Sequence, residues 1–245
     1  MSPFPDPPRP GARAVIVAAG RSTRMGEGGV RKPFLDLDGR TLLEVGCAAF
    51  AAAQEVAEIV LVVHPSDRAR AEALVAARPA FARVTAVVEG GEERIDSVRA
   101  GVGAGETRAA LVAIHDAARP LVAPATIDRA IRAATTGGAS LVAVAVRDTV
   151  KHAPDGRAAR TTLDRAGLWL AQTPQCFDRA RFLDVLARAK REGFRPTDDA
   201  ALWERYIGPV VLVEGDPANL KITTPADLAL ARALLAARAG GGRSE

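Results

Sequence analysis

The sequence predicts an α/β fold, a doubly wound, mainly parallel sheet covered by helices on both faces. Short apolar runs alternate along the chain with amphipathic or alanine-rich segments, and the runs are apolar at nearly every position. Continuous apolar strands are typical of a parallel sheet that is buried on both sides. We predict strands at residues 14–19, 59–63, 84–88, 111–114, 141–146 and 210–213.

Helices are predicted between these strands from capping residues and composition. Thr41 and Glu44 form a capping box, and polar caps open further helices near Asp198 and Thr224. Alanine-rich helices are predicted at residues 67–77 and 125–134. This alternation of strands and helices is typical of doubly wound sheets.

A segment at residues 147–163 interrupts the alternation. The turn signal Ala153-Pro154-Asp155-Gly156 lies between two β-like stretches, which predicts a projecting β-hairpin, here called the arm. The arm is either a surface flap or a dimerisation element, because a two-stranded hairpin is rarely stable without a surface to pack against.

Length and charge bound the domain organisation. At 245 residues, 48% of them hydrophobic, the chain is long enough for one large core. We expect one domain at residues 14–238, with a disordered N-terminal tail at 1–13 and a flexible C-terminal tail at 239–245. The 33 Lys and Arg are spread among 29 Asp and Glu, and aromatic residues make up 4%, so we expect no nucleic-acid partner.

The cysteines and the apolar runs indicate the cellular compartment. Cys47 and Cys176 are isolated, and we place Cys176 after a turn at Pro174-Gln175. Neither a disulfide framework nor a metal cluster is predicted, which fits a reducing cytoplasm. No apolar run is long enough to span a bilayer, and residues 1–10 lack the apolar centre of a signal peptide. We therefore expect a cytoplasmic protein without a membrane partner.

A basic, glycine-bearing loop follows the first predicted strand. Its small residues Ala18, Ala19 and Gly20 allow a ligand to touch the main chain, and Arg24 and Lys32 add positive charge. The loop matches neither the dinucleotide-binding glycine pattern nor the Walker pattern. Taken alone, it fits a phosphate-binding loop and an ordinary surface turn equally well.

Polar residues also follow the later predicted strands. Gly90 and Gly91 open a helix whose N–H groups could meet a base or a phosphate, or serve helix entry alone. Asp116 could hold a divalent cation and Arg119 a phosphate, or the two could form a structural ion pair. Lys221 follows the last strand. Because ligands bind at the carboxyl ends of strands in open parallel sheets, we expect these residues to meet at one edge.

The residue inventory disfavours several chemistries. The three histidines have no zinc-binding spacing, no Gly-x-Ser-x-Gly elbow is present, and nothing indicates a covalent nucleophile. A substrate phosphate that acts as the attacking group is already ionised at neutral pH. Catalysis then consists of positioning and charge neutralisation by Lys, Arg, backbone N–H groups and Mg²⁺.

Five motifs and a lysine, in this order over residues 14–235, resemble the 2-C-methyl-D-erythritol 4-phosphate cytidylyltransferase family. They are Ala18-Ala19-Gly20 with Arg24, Met25 and Lys32; Gly90-Gly91 with Glu93, Arg94, Asp96 and Ser97; His115-Asp116-Ala117-Ala118-Arg119-Pro120; Asp164-Arg165 with Leu168-Trp169; Thr173-Pro174-Gln175 with Phe177; and Lys221. The resemblance implies a Rossmann-like nucleotidyltransferase domain and a homodimer that exchanges arms. It also implies that CTP and methylerythritol 4-phosphate react to CDP-methylerythritol and pyrophosphate, in the non-mevalonate pathway to isoprenoid precursors.

The resemblance further implies roles for individual residues. Contacts to CTP are implied for Ala18, Ala19, Gly20, Gly90, Gly91 and Ser97. The implied catalytic cations are Arg24, Lys32 and Lys221, with Mg²⁺ held near Asp116. Methylerythritol phosphate is implied to bind Asp116, Ala117, Arg119 and Thr173, together with Thr149 and Arg165 of the partner subunit.

Two features depart from the family pattern, and two alternative functions stay open. Ser22 stands where the family usually has glycine, and the approach to Lys32 is one residue longer, so Arg31 could share the role of Lys32. One alternative is a cytidylyltransferase for another polyol phosphate such as ribitol 5-phosphate, which the segment at residues 164–169 disfavours. The other is a regulatory nucleotide-binding module, which the retained cations disfavour. Fusion to the later cyclodiphosphate synthase is not expected at this length.

Overall fold

The computed structural model describes residues 11–20 and 30–241, except for the side chains of residues 239–241. The strands are β1 (Ala12–Ala18), β2 (Asp36–Leu37), β3 (Arg40–Thr41), β4 (Val56–Val63), β5 (Val84–Glu89), β6 (Leu111–Asp116), β7 (Ala139–Ala145), β8 (Lys151–His152), β9 (Thr161–Thr162), β10 (Trp169–Asp178) and β11 (Val211–Glu214). The helices are α1 (Leu42–Ala52), α2 (Arg68–Ala77), α3 (Arg94–Val102), α4 (Pro124–Gly137), α5 (Arg179–Glu192), α6 (Asp199–Tyr206) and α7 (Pro225–Gly241).

A seven-stranded sheet forms the centre of the molecule, in the order β11-β7-β10-β6-β1-β4-β5. All neighbouring pairs are parallel except those of β10, which runs antiparallel between β6 and β7. The sheet is therefore mainly parallel, as the apolar runs predicted.

The core lies on both faces of the sheet because successive strand residues point to opposite faces. On β1, Ala14 and Ile16 join an apolar cluster with Phe50 of α1. Val15 points the other way and joins a second cluster with Phe182 of α5. Helices thus cover both faces, which confirms the doubly wound prediction.

β10 is the main element that was not predicted from the sequence. The turn predicted at Pro174-Gln175 is wrong, because this segment belongs to a strand in the middle of the sheet and Cys176 is buried within it. Pro174 lies where the pairing with β7 is irregular, between Ala171 and Gln175. A proline is tolerated there because its missing N–H removes no regular ladder hydrogen bond.

The domain bounds at residues 14 and 238 stay a prediction, and regular secondary structure extends slightly past both. β1 begins at Ala12, and the side chain of Arg13 within it is buried. Its guanidinium forms an ion pair with Glu58 at 2.9 Å and donates to the carbonyl oxygen of Val102 at 3.4 Å. At the other end, α7 continues to Gly241, past the predicted end at 238. The rest of the predicted tails, residues 1–10 and 242–245, lies outside the described residues.

The predicted helix caps are present. The side-chain oxygen of Thr41 accepts from the N–H of Glu44 at 3.1 Å and opens α1, and Asp198 accepts from the N–H of Ala201 at 3.0 Å and opens α6. At the start of α7, the hydroxyl of Thr224 accepts from the N–H of Asp227 at 3.2 Å. Local hydrogen bonds therefore set these helix starts, as the capping patterns predicted.

The arm is a short hairpin in which β8 pairs antiparallel with β9. Its strands are exposed on both faces, so it adds no layer to the core. The projecting hairpin predicted from the sequence is confirmed. Within the described residues, no helix combines the length and apolar character needed to cross a membrane.

Candidate active site

A cleft of about 370 Å³ opens at the carboxyl edge of β1, β5 and β6. It lies where open α/β sheets bind their ligands. Its lining residues are Val17, Ala18, Ala19, Gly20, Lys32, Pro33, Gly91, Glu92, Glu93, Arg94, Ser97, Asp116, Ala117, Ala118 and Lys221.

The wall at the end of β1 is built from small residues in close contact. A Cβ atom at Gly90 would lie 2.2 Å from the Cβ of Ala19 and 2.7 Å from the Oγ of Ser97. Such distances are far below van der Waals contact, so this position accepts glycine alone without displacing the wall. The main chain after β1 and the start of α3 can therefore approach each other closely around a ligand.

The first turn of α3 faces the cleft with its backbone donors. Glu93 is the N-cap residue, and its side chain makes no capping hydrogen bond in the described structure. Ser97 is buried and donates its hydroxyl to the carbonyl oxygen of Glu93 at 3.3 Å. Uncapped N–H groups at a helix start attract anions and carbonyl oxygens, so this turn is suited to a nucleotide.

Asp116, the last residue of β6, is the electrostatic centre of the cleft. Its Oδ1 accepts from Nη2 of Arg94 at 3.0 Å, and its Oδ2 lies 2.8 Å from Nζ of Lys221. Burial opposes ionisation, but the positive charges of Arg94 and Lys221 outweigh it and hold the pKa of Asp116 below its usual range. The carboxyl group is therefore ionised at neutral pH.

The two predicted catalytic lysines face the same space. Lys32 begins a 3-10 turn, Lys32–Phe34, which is anchored by the buried side chain of Phe34. Burial and the positive charge of Lys221 lower the pKa of Lys32, and Asp227 partly offsets them. Two cations that repel each other in this way are stabilised when an anion binds between them.

Lys221 reaches the cleft because its segment is tied to the turn after β6. The N–H of Ile222 donates to the carbonyl oxygen of Ala118 at 2.8 Å. Asn219 is buried and its Nδ2 donates to the carbonyl oxygen of Thr173 at 2.9 Å. These bonds hold Lys221, which follows β11, beside Asp116 at the end of β6.

A buried histidine orders the turn that carries Asp116. Nε2 of His115 lies 3.0 Å from the carbonyl oxygen of Arg119, and because a carbonyl can only accept, Nε2 carries the proton. Nδ1 then accepts from the hydroxyl of Thr173 at 2.8 Å, and that hydroxyl accepts from the N–H of Asp116 at 3.2 Å. Burial lowers the pKa of His115 to about 4, so the ring is neutral at pH 7. Thr173 thus positions Asp116, and its contact with a substrate stays a prediction.

Arg119 is held at the edge of this turn. Its Nη1 donates to the carbonyl oxygen of Asn219 at 2.8 Å and its Nη2 to that of Ala171 at 3.2 Å. The buried Nε meets no acceptor in the described part of the chain. Among the described residues the ion-pair partners of Asp116 are Arg94 and Lys221, so the Asp116–Arg119 pair that we kept as an alternative is not formed.

The structure brings most of the predicted site residues together. Nine of them line the cleft: Ala18, Ala19, Gly20, Lys32, Gly91, Ser97, Asp116, Ala117 and Lys221. Gly90, Arg119 and Thr173 support its wall or the adjacent turn. Arg24 and Ser22 lie outside the described residues. Nε of Arg31 forms an ion pair with Asp67 at 3.0 Å, and its sharing of the role of Lys32 stays a prediction.

Thr149 and Arg165 are separate from the cleft. Both are exposed, and the guanidinium of Arg165 donates to the carbonyl oxygen of Arg147, the first residue of the arm. Within one chain these two residues therefore do not join the predicted site.

Two residues at the site, Arg94 and Asp199, were not predicted from the sequence to have a role there. Arg94 lines the cleft and bridges Asp116 to Asp199, whose Oδ2 accepts from Nη2 of Arg94 at 2.8 Å. Burial raises the pKa of Asp199 to about 6, although Arg94 partly offsets this effect. Asp199 was assigned only to a helix start, because no local signal links residues so far apart in the chain.

A doubly wound sheet with a cation-lined cleft at its carboxyl edge is typical of nucleotide-binding enzymes, and comparison with known proteins narrows the class to the nucleotidyltransferases. The chain belongs to the IspD family, 2-C-methyl-D-erythritol 4-phosphate cytidylyltransferase, whose family model matches residues 12–237.

Individual relatives agree in sequence and in fold. The 2-C-methyl-D-erythritol 4-phosphate cytidylyltransferase of Geobacillus kaustophilus is 43% identical over 227 residues, which are 92% of this chain and 97% of the relative. The crystal structure of the enzyme of that name from Thermus thermophilus has a TM-score of 0.74 and 36% identity, and the match covers 91% of this chain and 98% of that one. The 4-diphosphocytidyl-2C-methyl-D-erythritol synthase structure from Anaerococcus prevotii has a TM-score of 0.80 at 28% identity, covering 92% and 96%. These matches confirm the enzyme class and the fold predicted from the sequence.

Proposed function

We propose that this protein transfers CMP from CTP to 2-C-methyl-D-erythritol 4-phosphate, giving 4-diphosphocytidyl-2-C-methyl-D-erythritol and pyrophosphate in the non-mevalonate pathway. The observation that carries the proposal is the convergence of Lys32, Arg94, Asp116 and Lys221 on one cleft at the end of β1. Family membership supports the choice of substrates.

CTP binds with its base near α3 and its triphosphate near the end of β1. The small wall around Ala19 and Gly90 lets the nucleotide approach the main chain, and Gly91 and Ser97 lie where they can contact the cytosine. Backbone N–H groups of Ala19, Gly20 and the first turn of α3 meet oxygen atoms of the ligand.

The reaction needs no covalent intermediate on the protein. An oxygen of the methylerythritol phosphate attacks the α-phosphorus of CTP, the bond from that phosphorus to the β-phosphate oxygen breaks, and pyrophosphate leaves with the electron pair. Lys32 and Lys221, with Arg24, neutralise the negative charge that develops at the α-phosphate and on the leaving group. Since the attacking phosphate is already ionised, no general base is required.

A divalent cation, Mg²⁺ by preference, fits this site with Asp116 as its protein ligand. Asp116 is ionised and faces the cleft, which is the chemistry that a magnesium ligand requires. The described residues hold no group of three side chains that could cage a metal ion. This agrees with the usual Mg²⁺ arrangement of one or two carboxylates, substrate phosphates and waters. When bound, the ion supplies charge neutralisation on the triphosphate.

The acceptor binds on the side of the cleft next to Asp116, Ala117, Arg119 and Thr173. Thr149 and Arg165 complete this half from the partner subunit, since both are exposed and separate from the cleft of their own chain. Exposed apolar side chains at the base of the arm, Leu163, Trp169 and Leu170, support a homodimer that covers them. We further propose that the enzyme works in the cytoplasm, without a nucleic-acid or membrane partner.

The proposal is tested by pyrophosphate release from purified protein with CTP, Mg²⁺ and methylerythritol 4-phosphate. We expect turnover with this acceptor and poor turnover with ribitol 5-phosphate. ATP and UTP in place of CTP serve as controls for base selection. A higher kcat/KM with ribitol 5-phosphate would contradict the acceptor assignment, and pyrophosphate release that needs no acceptor would contradict transfer itself.

A further inference from the structure

Asp199 lies behind the cleft and is connected to it through Arg94. Nη2 of Arg94 donates to Oδ2 of Asp199 at 2.8 Å and to Oδ1 of Asp116 at 3.0 Å. The side chain of Asp199 is 4% exposed, whereas that of Arg94 is 34% exposed and lines the cleft. One guanidinium nitrogen is therefore shared between a buried carboxylate and the carboxylate of the cleft.

The buried carboxylate is held in place by its own surroundings. Asp199 is the first residue of α6, which is capped by Asp198. The side chain of Gln175 on β10 forms hydrogen bonds with both neighbours of Asp199. Its Nε2 donates to Oδ2 of Asp198 at 2.9 Å, and its Oε1 accepts from the N–H of Ala200 at 2.8 Å. The start of α6 is thus fixed to the central sheet, and Asp199 offers Arg94 a rigid acceptor.

The sharing has an electrostatic consequence for Asp116. Without its bond to Asp199, the guanidinium of Arg94 could rotate towards Asp116 and donate to both of its carboxylate oxygens. Asp116 would then be covered by Arg94 and Lys221 together, and less negative charge would face the cleft. With Asp199 in place, part of the charge of Arg94 is directed away from Asp116.

We propose that Asp199 is a positioning residue of this active site, which sets the orientation and the effective charge of Asp116 by sharing Arg94 with it. The inference rests on the proposed function, in which Asp116 holds the divalent cation. A purely structural ion pair between Arg94 and Asp199 would affect folding stability and leave the metal dependence unchanged.

The test compares Asp199→Asn with the matched control Glu204→Gln. Both changes remove one negative charge from α6 and keep a side chain of nearly the same size, but Glu204 is exposed on the surface of that helix. For Asp199→Asn we expect kcat to fall by about 10–100-fold and the half-saturating Mg²⁺ concentration to rise by about tenfold, as for other outer-shell partners of metal ligands. For Glu204→Gln we expect both values within about twofold of wild type, since surface charges are screened.

A binding measurement separates this inference from the proposed reaction. Calorimetric titration of CTP with and without Mg²⁺ reports the magnesium-dependent part of CTP binding without turnover. We expect Asp199→Asn to lose most of that part and Glu204→Gln to keep it. Failure of the wild-type protein to use methylerythritol phosphate would contradict the reaction alone, because the titration still tests Asp199.

Thermal unfolding shows whether Asp199→Asn is folded at the assay temperature. If it is not, Arg94→Gln tests the same charge sharing from the more exposed side. Because Asp116 then loses one neutralising charge, we expect the half-saturating Mg²⁺ concentration to stay at or below the wild-type value, and a tenfold rise would overturn the proposal. In the folded proteins, the effects of Asp199→Asn and Arg94→Gln should be strongly non-additive, because one acts through the other. Additive effects, or wild-type kinetics with wild-type magnesium binding in Asp199→Asn, would overturn the proposal.

Discussion

The cleft and the arm hold their predicted site residues in opposite ways. In the cleft, Asp116 is nearly buried and is fixed by Arg94, Lys221 and the turn that His115 orders. At the arm, by contrast, Thr149 and the nearby Arg165 are exposed, and the paired strands of the hairpin are only two residues long. One chain thus orders the residues proposed to bind CTP, whereas the residues proposed to bind the acceptor stay exposed. In the homodimer that we propose, one subunit would bind CTP and both would be needed for transfer.

Removal of a cleft cation should have the largest effect. Lys221→Ala takes away a charge 2.8 Å from Asp116, and loss of one such stabilising group costs about 10²–10³ in kcat. The control is Lys190→Ala, since Lys190 also pairs with one carboxylate, Asp96, but on the surface. Steady-state pyrophosphate release measures both. Equal losses in the two variants would mean that the cleft has no special electrostatic role.

The histidine below the cleft should make folding sensitive to acid. The pKa of His115 is lowered from 6.5 to about 4, so the unfolded chain takes up this proton at higher pH than the folded one. Its contribution to stability is present above pH 6.5 and is lost as the pH falls towards 4, by about 3 kcal/mol in all. Urea unfolding at pH 7 and pH 4 checks this against His115→Gln, in which the other groups titrate alike. The same loss in both proteins would refute the assignment.

A charge at the base of the arm should weaken the homodimer. Leu170 is 59% exposed in the single chain, and burying a leucine side chain contributes about 1.5–3 kcal/mol, so Leu170→Asp should raise the dimer Kd by at least about tenfold. Leu230→Asp on α7 is the control, because Leu230 is 53% exposed and far from the arm in sequence. Analytical ultracentrifugation gives both constants. Unchanged dimerisation in Leu170→Asp would place the interface elsewhere.

A methyl group on the cleft wall should have the smallest effect. In Gly90→Ala the new Cβ meets Ala19 at 2.2 Å, and overpacking of this kind costs about 1–3 kcal/mol. If the wall contacts CTP as we propose, the KM for CTP should rise about tenfold with the KM for the acceptor nearly unchanged. A rise in the acceptor KM alone would show that this wall faces the other substrate.

Local patterns predicted the parts of the fold that depend on local physics. Capping residues such as Thr41 and Asp198 open their helices as expected, and the apolar runs form the parallel strands. β10 was missed because its pairing with β6 and β7 is formed across the sheet and the strand contains Pro174, which locally signals a turn. Whether such a segment forms a strand depends on its pairing with residues that are distant in the chain. A short window of sequence does not contain those partners.

The site residues also differ in whether local sequence or long-range contacts set their positions. Residues just after strands, such as Gly20, Gly91 and Lys221, were predictable because parallel strands bring their carboxyl ends to one edge. The Arg94–Asp199 bridge was not, since it joins α3 to α6 and depends on how Gln175 fixes the start of α6. Roles of residues outside the described part, Arg24 above all, stay predictions.

Mixed dimers test most directly the claim that the cleft of one subunit works with the arm of the other. A heterodimer of Lys32→Ala and Arg165→Ala chains, purified through two different tags, contains one site with neither change if the arm acts on its partner. We predict about half of the wild-type activity for it, because a twofold dimer has two equivalent sites. The reciprocal heterodimer, wild type with the double variant, should be nearly inactive. No recovery in the first heterodimer together with half activity in the second would contradict the account and place the arm at the cleft of its own chain.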